Sequence, residues 1–196
     1  MRRCLSINKS FQSFTLLRVK MIFVSAGHDG HDPGAVSPDG RYREADLTLR
    51  LRDLIATRLR SWSAPVITDG RDGENRPLRE AAILAKRVDG PAIEIHFNSG
   101  PASASGVEVL CHAEHKTLAQ NLAAAIAHWT RSPLRGDRGW KPANAGAHRR
   151  LAFCEAGGLI VEVAFISNPI EIETAVIHET QIATAIAEVL AETVKE

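Results

Sequence analysis

Short apolar runs alternate along this chain with segments whose apolar residues recur every three or four positions, and that alternation restricts the fold more than any other feature. The run "VKMIFVSA" reads as a buried strand, and a glycine-rich loop follows it to about Tyr42. A helix is then expected from about Glu44 to Leu59, because Leu47, Leu51, Leu54, Ile55 and Leu59 form one stripe while Arg50, Arg52, Asp53 and Arg58 face water. "APVITD" is the next strand. After the polar "GRDGENRP", Pro77 is placed to open a helix running to Lys86 or Arg87. Ala92 to Asn98 forms a third strand, with Ala92, Glu94, His96 and Asn98 on one side and Ile93, Ile95 and Phe97 on the other. "SGVEVLCH" is a fourth strand and "HKTLAQNLAAAIAHWT" an alanine-rich helix. Residues 131–150, rich in glycine, proline and arginine, read as a long loop. "GGLIVEVAFISNP" is the most apolar strand, and one short and one long helix end the chain. The fold class is therefore α/β: a single domain with a central, mostly parallel twisted sheet of about five to six strands and helices on both faces. In such sheets ligands sit outside the carboxyl ends of the strands, which is where His28, the residues after Thr68, Asn98 and Ser167 fall.

Composition removes several classes of function. With 196 residues there is enough chain for one full core, and a net charge of +1 offers nucleic acid no bulk attraction. Aromatic residues make up only 5%, too few for platforms on which bases stack. Three cysteines, Cys4, Cys111 and Cys154, are odd in number and widely spaced, which argues against a disulfide scaffold. No run approaches the roughly 18 apolar residues of a membrane span. Residues 1–18 begin with basic residues, but they lack a sustained apolar stretch and a small-residue cleavage site. We read them as a disordered or misassigned leader rather than a signal peptide, with the folded domain spanning 19–196.

Four residues carry the chemistry. His28 lies among glycines just after the first strand, where it marks either a tight turn or a metal ligand. Glu44 opens the first helix, either as a first-turn carboxylate favoured by the helix dipole or as a ligand. His96 sits near the end of the third strand, either hydrogen-bonded in the core or bound to metal. Two histidines and a glutamate are a ligand set used by catalytic zinc, which keeps a position open for water. Glu162 is an acid inside an apolar run. It must be paired, for instance with an arginine, or raised in pKa, and a raised carboxylate suits a general base. A rival cluster, Cys111, His112 and His115, spans a strand-to-helix boundary where a solvated helix start is the plainer reading.

These motifs together resemble the zinc-dependent N-acetylmuramoyl-L-alanine amidases with a type 3 catalytic domain, over roughly Met21 to Leu190. The resemblance rests on Gly27-His28 followed by Asp32-Pro33-Gly34-Ala35, on Glu44 in "READLTLRL", on His96 in "IEIHFNS" and on Glu162 in "VEVAFISNP". It implies one zinc per chain held by His28, Glu44 and His96, with Glu162 as the catalytic base. The implied reaction is hydrolysis of the amide between N-acetylmuramic acid and L-alanine of peptidoglycan or a muropeptide. Asn98 is expected to position substrate or the surroundings of the ligands. Arg138, Trp140 and Lys141 in the 131–150 loop are expected to wall a groove whose basic groups suit stem-peptide carboxylates. The implied substrate lies in the cell envelope and demands export, yet no convincing signal peptide is read; accumulation in the cytoplasm before release, or a wrong start codon, would reconcile the two. We expect a monomer with no nucleic-acid partner. This chain departs from the pattern at Ser25 and Ala26, at Ala164, at Arg79-Glu80, and at Glu94, where a small residue is common. Those departures suggest a divergent, lysin-like branch and leave every ligand in place.

Other classes make different demands. A zinc carboxypeptidase or other peptide hydrolase could use the same ligands but needs a site for a free carboxylate. A non-catalytic cell-wall binding module would be expected to lose Glu162 or a ligand. A purely structural domain leaves the glycine–histidine turn unexplained.

Overall fold

The computed structural model describes residues 20–29, 31–145 and 150–195; the leader read at 1–18 lies outside them. In chain order the elements are β1 (Ile22–Ala26), α1 (Glu44–Ser61), β2 (Val66–Thr68), α2 (Leu78–Ala85), β3 (Ala92–Asn98) and β4 (Glu108–Cys111). They continue with α3 (Lys116–Thr130), β5 (Trp140–Pro142), α4 (Ala152–Glu155), β6 (Leu159–Phe165), α5 (Pro169–Ile177) and α6 (Glu179–Glu192). The strands form one six-stranded sheet in the order β2-β1-β3-β6-β4-β5. Every neighbouring pair is parallel except β4 with β6, which is antiparallel.

Period-two alternation within the strands supplies two apolar layers. Ile22, Val24, Ile93, Ile95, Val161 and Val163 point toward α1, α3 and α6, where they join Leu51, Ile55, Leu122, Ile126, Ile186 and Leu190. Phe23, Ala92, Leu110 and Ile160 point the other way, under Ala81 and Ala85 of α2 and Phe153 and Cys154 of α4. Helix ends follow local chemistry. Glu44 and Asp46 in the first turn of α1 and Arg58 and Arg60 in its last turn complement the helix dipole. At α5, Asn168 accepts hydrogen bonds from the backbone N–H groups of Ile170 (3.1 Å) and Glu171 (3.2 Å), with Pro169 in the first turn.

Three expectations need correcting. The 131–150 segment contains β5, a three-residue edge strand. Glycine and proline around it hide a strand pattern that depends on pairing with β4 rather than on its own composition. The short helix α4 was likewise not expected. Arg52 does not face water. It is fully buried, with Nη1 2.8 Å from Asp69 Oδ1, while Nη2 donates to the carbonyls of Arg71 (3.0 Å) and Glu74 (2.7 Å). This guanidinium holds the loop after β2, and Asn75 of that loop donates to the His28 carbonyl.

The second face of the sheet changes character toward the carboxyl ends of β1, β3 and β6. Its apolar layer gives way to Glu94, His96 and Glu162. His96 lies opposite Glu162, which lies opposite Glu108 of antiparallel β4, so three polar side chains form one row across three strands. Just beyond, the register moves from His96↔Glu162 to Asn98↔Phe165, so two steps of β3 face three of β6. This bulge ends regular pairing beside the row.

Candidate metal centre

His28 leaves β1 with φ 65°, a left-handed conformation that is unusual for a residue bearing a side chain. Its Nδ1 is 2.9 Å from Asp32 Oδ2 and its Nε2 3.1 Å from Glu44 Oε2. The turn is set by Asp29, whose Oδ1 accepts from the backbone N–H groups of His31 (2.7 Å) and Asp32 (3.0 Å). Two glycines here are required by space. A Cβ on Gly27 would sit 2.7 Å from His96 Nδ1, and one on Gly34 would sit 2.7 Å from both Glu44 Oε2 and His28 Cδ2. The glycine–histidine stretch is therefore a turn whose missing side chains make room for two imidazoles and a carboxylate.

Glu44 is not a solvated first-turn acid. It is 4% exposed, and backbone from two directions donates to it: Ala35 N–H to Oε2 at 2.9 Å and Phe97 N–H to Oε1 at 3.0 Å. His96 Nδ1 lies 3.1 Å from the same Oε1. Burial alone would push this carboxyl up, but the two imidazoles and the Phe97 amide outweigh it and hold the group well below the usual carboxylate range. His28 is raised, first by its hydrogen bond to Glu44. His96 is also raised: burial opposes this, and the hydrogen bonds to Glu44 and Glu94 overcome it. The two imidazole rings lie 5.2 Å apart, nearly edge to face. His28, Glu44 and His96 each present one ligand atom within 4.8 Å of the others. The set could hold a divalent metal, and both its donor chemistry and the glycine-cleared space suit one.

Glu162 stands beside His96. Its Oε2 is shielded from solvent and has no hydrogen-bond partner among the described residues, so the arginine pairing considered from sequence is not made at that oxygen. Burial pushes its carboxyl up to about 7; the nearby His96 counteracts this, and Glu44 and Glu108 reinforce it. A carboxyl that titrates near neutrality next to a metal-ligand cluster has the properties of a general base.

The remaining candidates separate. Asn98 Nδ2 donates to Glu108 Oε1 at 3.0 Å, and Glu108 also binds Arg135 Nε and, at 2.7 Å, Lys141 Nζ. Lys141 is thereby tied to the polar row. Trp140 lies under Lys116 Nζ, 4.6 Å from the ring centre, and its Nε1 donates to the Cys111 carbonyl at 3.4 Å. Arg138 projects outward with its side chain 76% exposed, 3.7 Å from Asp137. Cys111, His112 and His115 do not form a three-ligand group among the described residues, and burial pushes the Cys111 thiol up to about 11. Sequence reasoning gave no site role to Asp32 or Glu94, which it named, and did not single out Glu108 or Arg135. Glu94 and Glu108 carried a usable signal, each being an acid within an apolar strand, as Glu162 is.

Comparison with known proteins agrees with this geometry. Residues 22–192 match the model of a family described as N-acetylmuramoyl-L-alanine amidase. A Neisseria meningitidis crystal structure, proposed to be such an amidase, is 41% identical and superposes with a TM-score of 0.81 over 88% of this chain and 94% of that one. A Clostridium difficile 630 N-acetylmuramoyl-L-alanine amidase shares the fold at 23% identity, with a TM-score of 0.74 over 89% of this chain and 96% of that one. An uncharacterised Bacillus subtilis protein, YqiI, is 28% identical over 152 residues, which is 76% of this chain and 71% of that protein. The family match spans most of the chain, and a relative 41% identical agrees with it: the chain belongs to the N-acetylmuramoyl-L-alanine amidase family.

Proposed function

We propose that this protein is a zinc-dependent amidase that cuts the bond between the lactyl carbonyl of N-acetylmuramic acid and the amino group of L-alanine in peptidoglycan. The observation that carries the reading is Glu162, whose Oε2 is buried with no hydrogen-bond partner among the described residues, opposite His96 of a His–Glu–His set that could hold a metal. His28, Glu44 and His96 would hold the metal. Two imidazoles and one carboxylate suit zinc and leave a position for a small molecule. When bound, zinc supplies a Lewis acid that polarises a carbonyl and acidifies water.

This chain's own groups supply the proton path. Glu162 takes a proton from the attacking water as its oxygen bonds to the carbonyl carbon, then delivers that proton to the nitrogen as the C–N bond breaks. The products are a muramic acid carboxylate and a free L-alanine amino group. A carboxyl poised near 7 serves both halves of this exchange at neutral pH. Glu108 is held by Arg135 and Lys141 beside Glu162; we place the substrate's anionic stem on this side, near those two cations. We extend the proposal to the cell envelope as the site of action, because that is where peptidoglycan lies. Among the described residues no helix is long and apolar enough to cross a membrane.

Mass spectrometry of digested peptidoglycan, run with metal analysis, tests the reading. Stem peptides with a free L-alanine amino terminus and one zinc per chain are expected. Shortened stems still attached to muramic acid would make the protein a peptidase instead. Glu162→Gln should keep the metal and lose about 100- to 10,000-fold in turnover.

A further inference from the structure

We infer that Glu94 is a positioning residue for the metal centre: it fixes the ring orientation and tautomer of His96, so that Nδ1 is the nitrogen offered to the metal. The inference rests on the reading of His28, Glu44 and His96 as ligands. His96 has a carboxylate at each ring nitrogen, Glu44 Oε1 3.1 Å from Nδ1 and Glu94 Oε2 3.2 Å from Nε2. Glu44 belongs to the converging cluster and stands at Nδ1, whereas Glu94 lies outside the cluster and stands at Nε2. A neutral imidazole whose Nε2–H donates to a carboxylate keeps a lone pair on Nδ1, and the hydrogen bond resists rotation of the ring.

Burial makes this more than incidental contact. Glu94 is 2% exposed in the middle of β3, and its ion-pair partner among the described residues is His96. Beside it in the sheet register, Ser25 is fully buried with a hydroxyl that has no hydrogen-bond partner among the described residues. A buried carboxylate in such surroundings is costly unless it is hydrogen-bonded and its charge is balanced. One divalent cation with neutral imidazoles balances Glu44 and Glu94 together. His28 provides an internal contrast. Its outward nitrogen is held by Asp32, whose side chain is 67% exposed, so that interaction is weakened by solvent. The two ligand histidines are thus supported unequally, with His96 held more firmly.

The test compares the wild type with Glu94→Ser, Glu94→Gln and Asp32→Ala. Zinc affinity is measured by competition with a chromophoric chelator, and the visible spectrum is recorded with cobalt in place of zinc. Glu94→Ser should bind zinc about 10- to 100-fold more weakly and shift the cobalt bands. Glu94→Gln keeps an acceptor for Nε2–H and should fall between it and the wild type. Asp32→Ala should change affinity less than Glu94→Ser does. Circular dichroism of the metal-free proteins separates loss of fold from loss of support, and if Glu94→Ser does not fold the glutamine variant decides. Unchanged zinc affinity and cobalt spectra in folded Glu94 variants would overturn the inference while leaving the amidase reading intact. A wild type that binds no metal would overturn both.

Discussion

Glu162→Gln in the metal-free protein should make the fold more stable at pH 8 and leave it little changed at pH 4. The folded carboxyl titrates at about 7 against an ordinary value of 4.5. The folded state therefore binds this proton more tightly than the unfolded chain does. Below the unfolded value both states are protonated and ionisation brings no penalty. As pH rises from 4.5 toward 7 the unfolded chain ionises first, so the wild type loses stability, and above 7 the loss is complete. At about 1.4 kcal/mol per pH unit, the gap corresponds to roughly 3 kcal/mol. Glutamine cannot ionise and escapes this loss. For a chain of this size 1 kcal/mol moves the melting temperature by about 2–4 °C, so the advantage of the variant should grow by roughly 6–12 °C across the interval. Urea and thermal unfolding in chelator, with both proteins measured from about pH 4 to pH 8, follow the difference while shared titrations cancel. A difference that stays flat with pH, or that favours the wild type at pH 8, would refute the reasoning that desolvation of this carboxyl sets its chemistry.

Other outcomes follow from the same geometry. Chelation should abolish hydrolysis and added zinc restore it; because His28 and His96 hold their protons unusually firmly without metal, binding should release protons, measurable in weakly buffered titration. Gly27→Ala should weaken metal binding by more than about tenfold with the circular dichroism spectrum retained, since the new methyl group displaces the His96 ring. Arg52→Met should cost about 3–5 kcal/mol in urea unfolding, because it leaves Asp69 buried without its cation; a cost below about 1 kcal/mol would show that Asp69 finds another partner or protonates easily.

The parts legible in the sequence were those with a local signature. The β3 boundaries and the first turn of α1 follow from alternation and helix period, whereas His28 and His96 are candidate ligands with other readings open until the family resemblance joins them. What escaped depends on partners distant along the chain. Arg52 lies among polar neighbours of α1, and only the return of the Asp69 loop beneath it reveals a buried cation. Trp140 to Pro142 has no strand pattern of its own and becomes β5 by pairing with β4. Glu108 meets Arg135 and Lys141 across 27 and 33 positions, and no spacing rule anticipates that three-way contact. Glu44 could be named as a ligand by resemblance, yet its burial comes from backbone amides nine and 53 residues away.

That last arrangement has a consequence for local opening of the fold. Glu44 fastens Ala35 to β3 through the Ala35 and Phe97 amide protons. Those two protons exchange with solvent only when the strap releases, so hydrogen exchange at Ala35 and Phe97 reports the integrity of the centre directly. A ligand that binds only the closed form slows such opening in proportion to its occupancy. Replacing Glu44 removes the strap along with the ligand, so inactivity in that variant would mix two losses that amide exchange at these positions can separate.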